Sequence, residues 1–213
     1  MINWKIITSM IGGTVLIIIG ASLFLSKPVN NSSAAIDSQK LVLGATHVLG
    51  EENAPATVVE FSDFQCSACR LAALTLDELM VKHEGKIRFI YRHFPLTSIH
   101  KNALAASIAS EAADSQGKFW EYSRVLFDNQ NTWEQLGSPQ DLFINLARES
   151  GVPDLDKFKS EISKQLKKDL ILADMNFGNQ LGINATPTFF VNGKKVSASG
   201  LKLAVEEVLS KPQ

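Results

Sequence analysis

The only two cysteines of this chain stand three positions apart, in Cys66-Ser67-Ala68-Cys69, and that spacing constrains the fold more than any other feature. An apolar, strand-like run precedes them, Thr57-Val58-Val59-Glu60-Phe61. A helix-like run follows, Cys69-Arg70-Leu71-Ala72-Ala73-Leu74. At such a junction the first sulfur lies at a helix N-terminus, where unpaired amides and the helix dipole favour thiolate over thiol. The thiolate is the species that attacks disulfides. Cys66 is therefore the expected nucleophile, and Cys69, one helical turn later, the thiol that resolves a mixed disulfide. The pair reads as a dithiol/disulfide exchanger.

Two plainer readings compete. A closed zinc site needs four ligands, yet no second CxxC exists and His47, His83, His93 and His100 show no HxxxH-type spacing. No metal and no cofactor are expected. A purely structural disulfide would close a loop too small to stabilise much on the loop-entropy model.

The N-terminus bears on compartment. Ile6 to Leu25 is an uncharged, mostly apolar run of about 20 residues, the length that crosses a bilayer as a helix. Lys5 and the amino group precede it, so the positive-inside rule keeps that end cytoplasmic. The expectation is a single-pass cell-membrane protein with an extracytoplasmic domain. The alternative is a cleaved signal peptide and a secreted or periplasmic domain. Residues 1–25 then form a cytoplasmic stub and signal anchor, the Ser- and Asn-containing stretch 26–40 a flexible linker, and 41–213 one domain with its own core. The net charge of -1 gives no reason to expect nucleic acid as a partner.

Along that domain, Val58 to Phe61 predicts a buried strand and Leu71 to Leu79 a helix that breaks near Gly85. Lys86 to Arg92 predicts a second strand, parallel to the first. Helical patterns follow over Lys101–Ala113, Phe119–Phe127 and Pro139–Glu149, and Phe158, Ile162, Leu166 and Leu170 continue them at i, i+4 spacing. Thr188-Phe189-Phe190-Val191 returns to β. Asn192-Gly193 then marks a hairpin turn before Lys194-Lys195-Val196. Leu201, Val205, Val208 and Leu209 close the chain as an amphipathic helix.

The segments Phe61-Ser62-Asp63-Phe64-Gln65-Cys66-Ser67-Ala68-Cys69, Arg92-His93-Phe94-Pro95-Leu96, Gln116-Gly117-Lys118-Phe119-Trp120 and Gly182 to Gly193 together resemble the DsbA-like thiol-disulfide oxidoreductases, in their anchored or exported bacterial branch. The resemblance covers roughly residues 47–210. It implies an α/β thioredoxin fold with an all-helical insertion, approximately 99–180, between a βαβ half and a C-terminal ββα half, preceded by the N-terminal transmembrane helix. It also implies a cis Thr186-Pro187 peptide facing the redox disulfide Cys66-Cys69, with Thr186 and Pro187 presenting backbone to an extended substrate segment.

Glu60 falls where members of that family often carry a buried acid. An acid in an apolar strand is costly and its pKa rises, so a proton relay to Cys69 is expected, against an ordinary strand-edge carboxylate. Asp63 reads as a solvated or capping loop group, and His93 as a satisfied histidine at a strand end. The chain departs from the family's strongest oxidants, which carry Pro-His between the cysteines where this one has Ser67-Ala68. The function implied is introduction of disulfides into exported proteins at Cys66-Cys69; the alternatives are an anchored reductase or isomerase kept reduced, and a non-enzymatic binder of unfolded chains. The partners implied are thiol- or disulfide-containing exported clients and a quinone-linked membrane redox protein.

Overall fold

The computed structural model of the protein describes residues 36–211. The anchor expected over residues 1–25 and the linker positions 26–35 lie outside them. The apolar run before the cysteines becomes the central strand β2 (Ala56–Ser62), which pairs in parallel with β3 (Ile87–His93) and antiparallel with β4 (Thr188–Val191). Both faces of β2 are covered, so its apolar residues do not alternate, and Glu60 and Ser62 are buried among them. Its side chains still divide between two cores. Val58 joins Phe89, Tyr91, Phe189 and both cysteines on one face, while Val59 and Phe61 join Ile90, Phe94 and Phe190 on the other. An edge strand on either side, β1 (His47–Leu49) and β5 (Lys194–Val196), completes the order β1-β3-β2-β4-β5.

The helix α2 (Ser67–Lys82) joins β2 to β3 and buries Cys69, Ala72, Leu76 and Leu79, a single stripe at helical spacing. Between β3 and β4 the chain is helical: α3 (Ala103–Asp114), α4 (Phe119–Asp128), α5 (Gln130–Trp133), α6 (Gln140–Glu149), α7 (Leu155–Lys164) and α8 (Lys168–Gln180). The β4–β5 hairpin turns on Asn192 and Gly193, at φ 45° and 81°. Glycine adopts this conformation freely and asparagine tolerates it. The last helix, α9 (Leu201–Leu209), buries Leu201 and Val205.

The structure corrects the sequence in several places. The stripe expected to continue from Phe158 to Leu170 is broken: Gln165 caps α7 in the left-handed conformation at φ 52°, and Leu166 and Leu170 emerge exposed. The i, i+4 spacing runs across two helices, α7 and α8, and periodicity does not report the break between them. Residues 36–40, composed like a linker, belong to the folded body. The Ile36 amide donates to the Gly193 carbonyl at 2.8 Å, and Asp37 caps α1 (Ser38–Val42), whose Leu41 is fully buried. The α8 helix sits so close to the sheet that a Cβ on Gly178 would lie 2.6 Å from the Phe94 ring and 3.1 Å from Phe61.

Candidate active site

Cys66 is the N-cap residue of α2, with extended backbone (φ -79°, ψ 119°) and no side-chain capping bond of its own. Its sulfur is free to receive what the helix end donates. The Cys69 thiol is the foremost donor to it, and the Cys69 and Ala68 amides add to that, against the opposing effect of burial. The balance lowers the Cys66 pKa from 9.0 to about 5. Cys69 moves the other way. It is fully buried, and burial, its donation to Cys66 and the nearby Glu60 charge push its thiol well above the ordinary range. Both cysteines are free here.

The Thr186-Pro187 peptide is cis. As a thiol, Cys66 Sγ donates to the Thr186 carbonyl at 3.4 Å. Thr186 Oγ1 is buried and has no partner among the described residues. A Cys66 thiolate accepts where the thiol donates, and this hydroxyl is the donor that remains for it. Expected from the sequence as a backbone platform, Thr186 thus also touches the nucleophile.

Glu60 lies in the central strand and is 3% exposed, so the strand-edge alternative is ruled out. Burial raises its pKa from 4.5 to about 8, with the Cys66 charge adding to the rise and a 2.8 Å hydrogen bond donated by the Ser62 hydroxyl opposing it. Tyr91, its register partner on β3, buries a hydroxyl without a partner among the described residues. A cavity of about 310 Å³, with Leu74, Met80, Phe89 and Trp120 in its wall, reaches Glu60. Ser62 was missed by the sequence analysis. Its signal was available, because two residues on from Glu60 along a strand returns to the same face.

Asp63 is neither solvated nor the helix cap. It is fully buried and accepts from the Gln65 amide (2.7 Å), the Leu96 amide (2.8 Å) and His100 Nδ1 (2.7 Å). The loop presenting Cys66 is pinned further by Gln65, whose Oε1 accepts from the Asn102 amide at 2.7 Å, and by Gln130, which donates to the Phe64 carbonyl at 2.7 Å. These ties run to the helical part of the chain and have no signature in sequence spacing. His93 is at its strand end and buried; its Nε2 meets Glu111 Oε1 at 3.0 Å, while its Nδ1 has no partner among the described residues. His47 Nε2 reaches the same oxygen at 2.6 Å.

With this geometry in place, the comparisons with known proteins are specific. Residues 43–209 match the family described as Thioredoxin. Among solved structures, BdbD from Bacillus subtilis superposes with a TM-score of 0.72 at 26% identity over 83% of this chain and 99% of its own. A thioredoxin-like oxidoreductase from Silicibacter pomeroyi gives 0.64 at 26% identity, over 82% and 98%. Wolbachia pipientis alpha-DsbA1 gives 0.67 at 25%, over 81% and 96%. Among curated proteins, the Na(+)/H(+) antiporter NhaA 3 of Salinispora tropica is 37% identical over 149 residues, which is 70% of this chain and 22% of the antiporter. The NhaA antiporter of Herminiimonas arsenicoxydans is 32% identical over 153 residues, 72% and 23%. The chain thus spans less than a quarter of the length of these two curated relatives.

These relatives correct one expectation. The single-pass location with an outward-facing domain, and its secreted alternative, find no support in them, because the matching curated proteins are antiporters several times the length of the match. Among the described residues no helix is long and apolar enough to cross a membrane, and the run over residues 1–25 lies outside them. The fold and the paired cysteines agree with the comparisons: the chain belongs to the thioredoxin family, with a DsbA-like fold.

Proposed function

We propose that this chain is a thiol-disulfide oxidoreductase that works as a net oxidant, introducing disulfide bonds into client proteins at Cys66-Cys69. The observation that carries this reading is the placement of Cys66 at the N-cap of α2, 3.4 Å from the Thr186 carbonyl, where converging donors lower its pKa to about 5. A thiolate stabilised in the reduced form is a good leaving group and makes the disulfide form the stronger oxidant. The exported proteins whose disulfides form outside a reducing cytoplasm are the client class that such a couple suits.

The steps balance as follows. A client thiolate attacks Cys66 Sγ of the disulfide, the sulfur–sulfur bond breaks, and its electron pair goes to Cys69 Sγ. Cys69, with a thiol pKa well above 9.0, takes a proton as it leaves. Glu60, protonated at neutral pH because its pKa is near 8, supplies that proton as general acid. A second client thiolate then attacks the client sulfur of the mixed disulfide and Cys66 departs as thiolate. Thr186 and Pro187 hold the extended client segment beside Cys66 by backbone pairing, which binds without demanding a particular sequence. The two electrons leave to a quinone-linked membrane partner, and on that return path Glu60 takes the proton back from Cys69.

The test is the reduction potential in glutathione buffers, together with the rate at which the disulfide form oxidises a reduced, unfolded ribonuclease. A potential toward about -120 mV, with client oxidation lost in Cys66→Ser, is the expected result. A potential near about -270 mV would assign the chain to the reductases instead.

A further inference from the structure

Away from the cysteines, three chemistry-bearing side chains from three elements converge on one point. His47 is on β1, His93 on β3 and Glu111 on α3. In the β1–β3 ladder His47 stands opposite Tyr91, so His93, two residues further along, shares its face of the sheet. The two rings lie 5.5 Å apart, and both Nε2 atoms point at Glu111 Oε1, at 2.6 and 3.0 Å. All three side chains are within 2% of complete burial, and one ligand atom from each lies within 4.8 Å of the others.

We propose that His47, His93 and Glu111 form a binding site for a divalent transition ion of the zinc class, which ties the edge of the sheet to α3. Two features beyond the cluster itself point to a ligand. Glu111 Oε2 is buried with no partner among the described residues. It is the second oxygen that a bidentate carboxylate would offer an ion. Asp114, one turn on from Glu111, places Oδ1 3.5 Å from His47 Nδ1. A carboxylate behind the far ring nitrogen sets the tautomer that leaves Nε2 free to coordinate, the outer-sphere arrangement characteristic of metal-bound histidine. The His47 ring is held in that orientation by stacking on Phe119, at 3.5 Å between centroids and 2° between planes.

The donor set selects the ion. Two imidazoles and a carboxylate suit zinc and its first-row neighbours, whereas calcium and magnesium take oxygen ligands. Zinc holds nitrogen and carboxylate oxygen at about 2.0–2.2 Å, so two ligands at a tetrahedral angle lie about 3.3 Å apart. The two contacts to Glu111 Oε1, at 2.6 and 3.0 Å, therefore have to widen by about 0.7 and about 0.3 Å to admit the ion. Binding only the folded arrangement, the ion would raise stability by mass action.

Because thiolates are themselves zinc ligands, the experiment uses the full chain with Cys66→Ser and Cys69→Ser. Equilibrium dialysis against zinc, with metal content read by mass spectrometry, is expected to give one ion per chain. Cobalt in its place is expected to show ligand-field bands, and the unfolding midpoint should rise with zinc and fall with a chelator. Asp114→Asn, at a partly exposed position that leaves the three ligands intact, is expected to weaken binding about 10- to 100-fold while the midpoint in chelator stays unchanged. Glu111→Gln is expected to abolish binding. A serine variant that binds no zinc and whose midpoint ignores both zinc and chelator overturns the proposal, leaving a hydrogen-bonded cluster. So does zinc binding that survives Glu111→Gln undiminished.

Discussion

Two thiols three residues apart titrate in opposite directions because one sits on the helix end and the other inside the core. Cys66 collects donors, whereas Cys69 supplies one and loses its water. Removing the Thr186 hydroxyl tests the first half of that contrast. In Thr186→Val the thiolate loses a charge-assisted hydrogen bond, which in proteins is worth about 1.5–3 kcal/mol, or one to two pKa units. The Cys66 titration, followed by thiolate absorbance, is expected to move up from about 5 by roughly that amount. An unchanged titration would mean that Cys69 and the helix amides suffice. Glu60 tests the second half. Its folded pKa is raised, so the native state holds the proton more tightly than the unfolded chain, and ionisation works against folding as pH rises from 4.5 to about 8. Glu60→Gln removes that penalty. Its stability advantage in denaturant should be small at pH 4, grow by up to about 1.4 kcal/mol per pH unit across the window, and level off above 8. The same variant should slow exchange at least tenfold if the carboxyl moves the Cys69 proton, since positioned proton transfer contributes about 10²–10⁴-fold. Exchange at the parent rate would leave Glu60 a structural acid.

Elements were legible in proportion to how local their causes are. β2, α2 and β3 each carry their pattern within a few residues. The β4–β5 turn is written in two residues, Asn192-Gly193. β1 is three residues long and offers too little sequence for any period to show. The α7–α8 break follows from one residue's backbone, Gln165, in a stretch whose apolar spacing alone continues as a single helix. The site divides in the same way. Cys66 and Cys69 declare themselves as a motif, while His47, His93 and Glu111 come from separations of 64 and 18 residues to the shared carboxylate and meet only in the fold. The close contact of α8 with the sheet is equally invisible in sequence, because a glycine inside a helix reads merely as a weak helix former. Gly178→Ala checks it. Better intrinsic helix propensity would stabilise an exposed helix by up to about 1 kcal/mol. Here the added methyl meets Phe94 at 2.6 Å, so the expected outcome is a loss of about 1–3 kcal/mol from overpacking. A gain in the denaturation midpoint would show that α8 rides free of the sheet.

At the scale of the whole molecule the redox state is coupled to folding. The central strand delivers the chain straight into the cysteine loop, and that loop is bonded through Gln65, Asn102 and Gln130 to the helical part. The charge on Cys66 is therefore stabilised only when these parts are assembled. In the dithiol form the folded pKa is depressed from 9.0 to about 5. The unfolded chain thus binds the proton more tightly, and folding of the reduced protein becomes more favourable as pH rises from 5 to 9. That gain is complete above 9 and vanishes as pH falls through 5. The disulfide form has no such thiol to titrate, and its short covalent loop adds a contribution that does not depend on pH. Below pH 9 the difference in unfolding midpoint between the two forms therefore reports chiefly the Cys66 thiolate, since the Cys69 thiol, raised well above 9.0, keeps its proton over that range and the groups common to both forms largely cancel. Measured by thermal or urea unfolding at pH 5, 7 and 9, the reduced form is expected to gain steadily on the oxidised one. The sign of that trend carries the direction of electron flow, because a fold that stabilises its own dithiol drives electrons inward from its clients. A difference independent of pH would mean that the thiolate is no better held in the native state than in the unfolded chain, and the oxidant assignment would lose its physical basis.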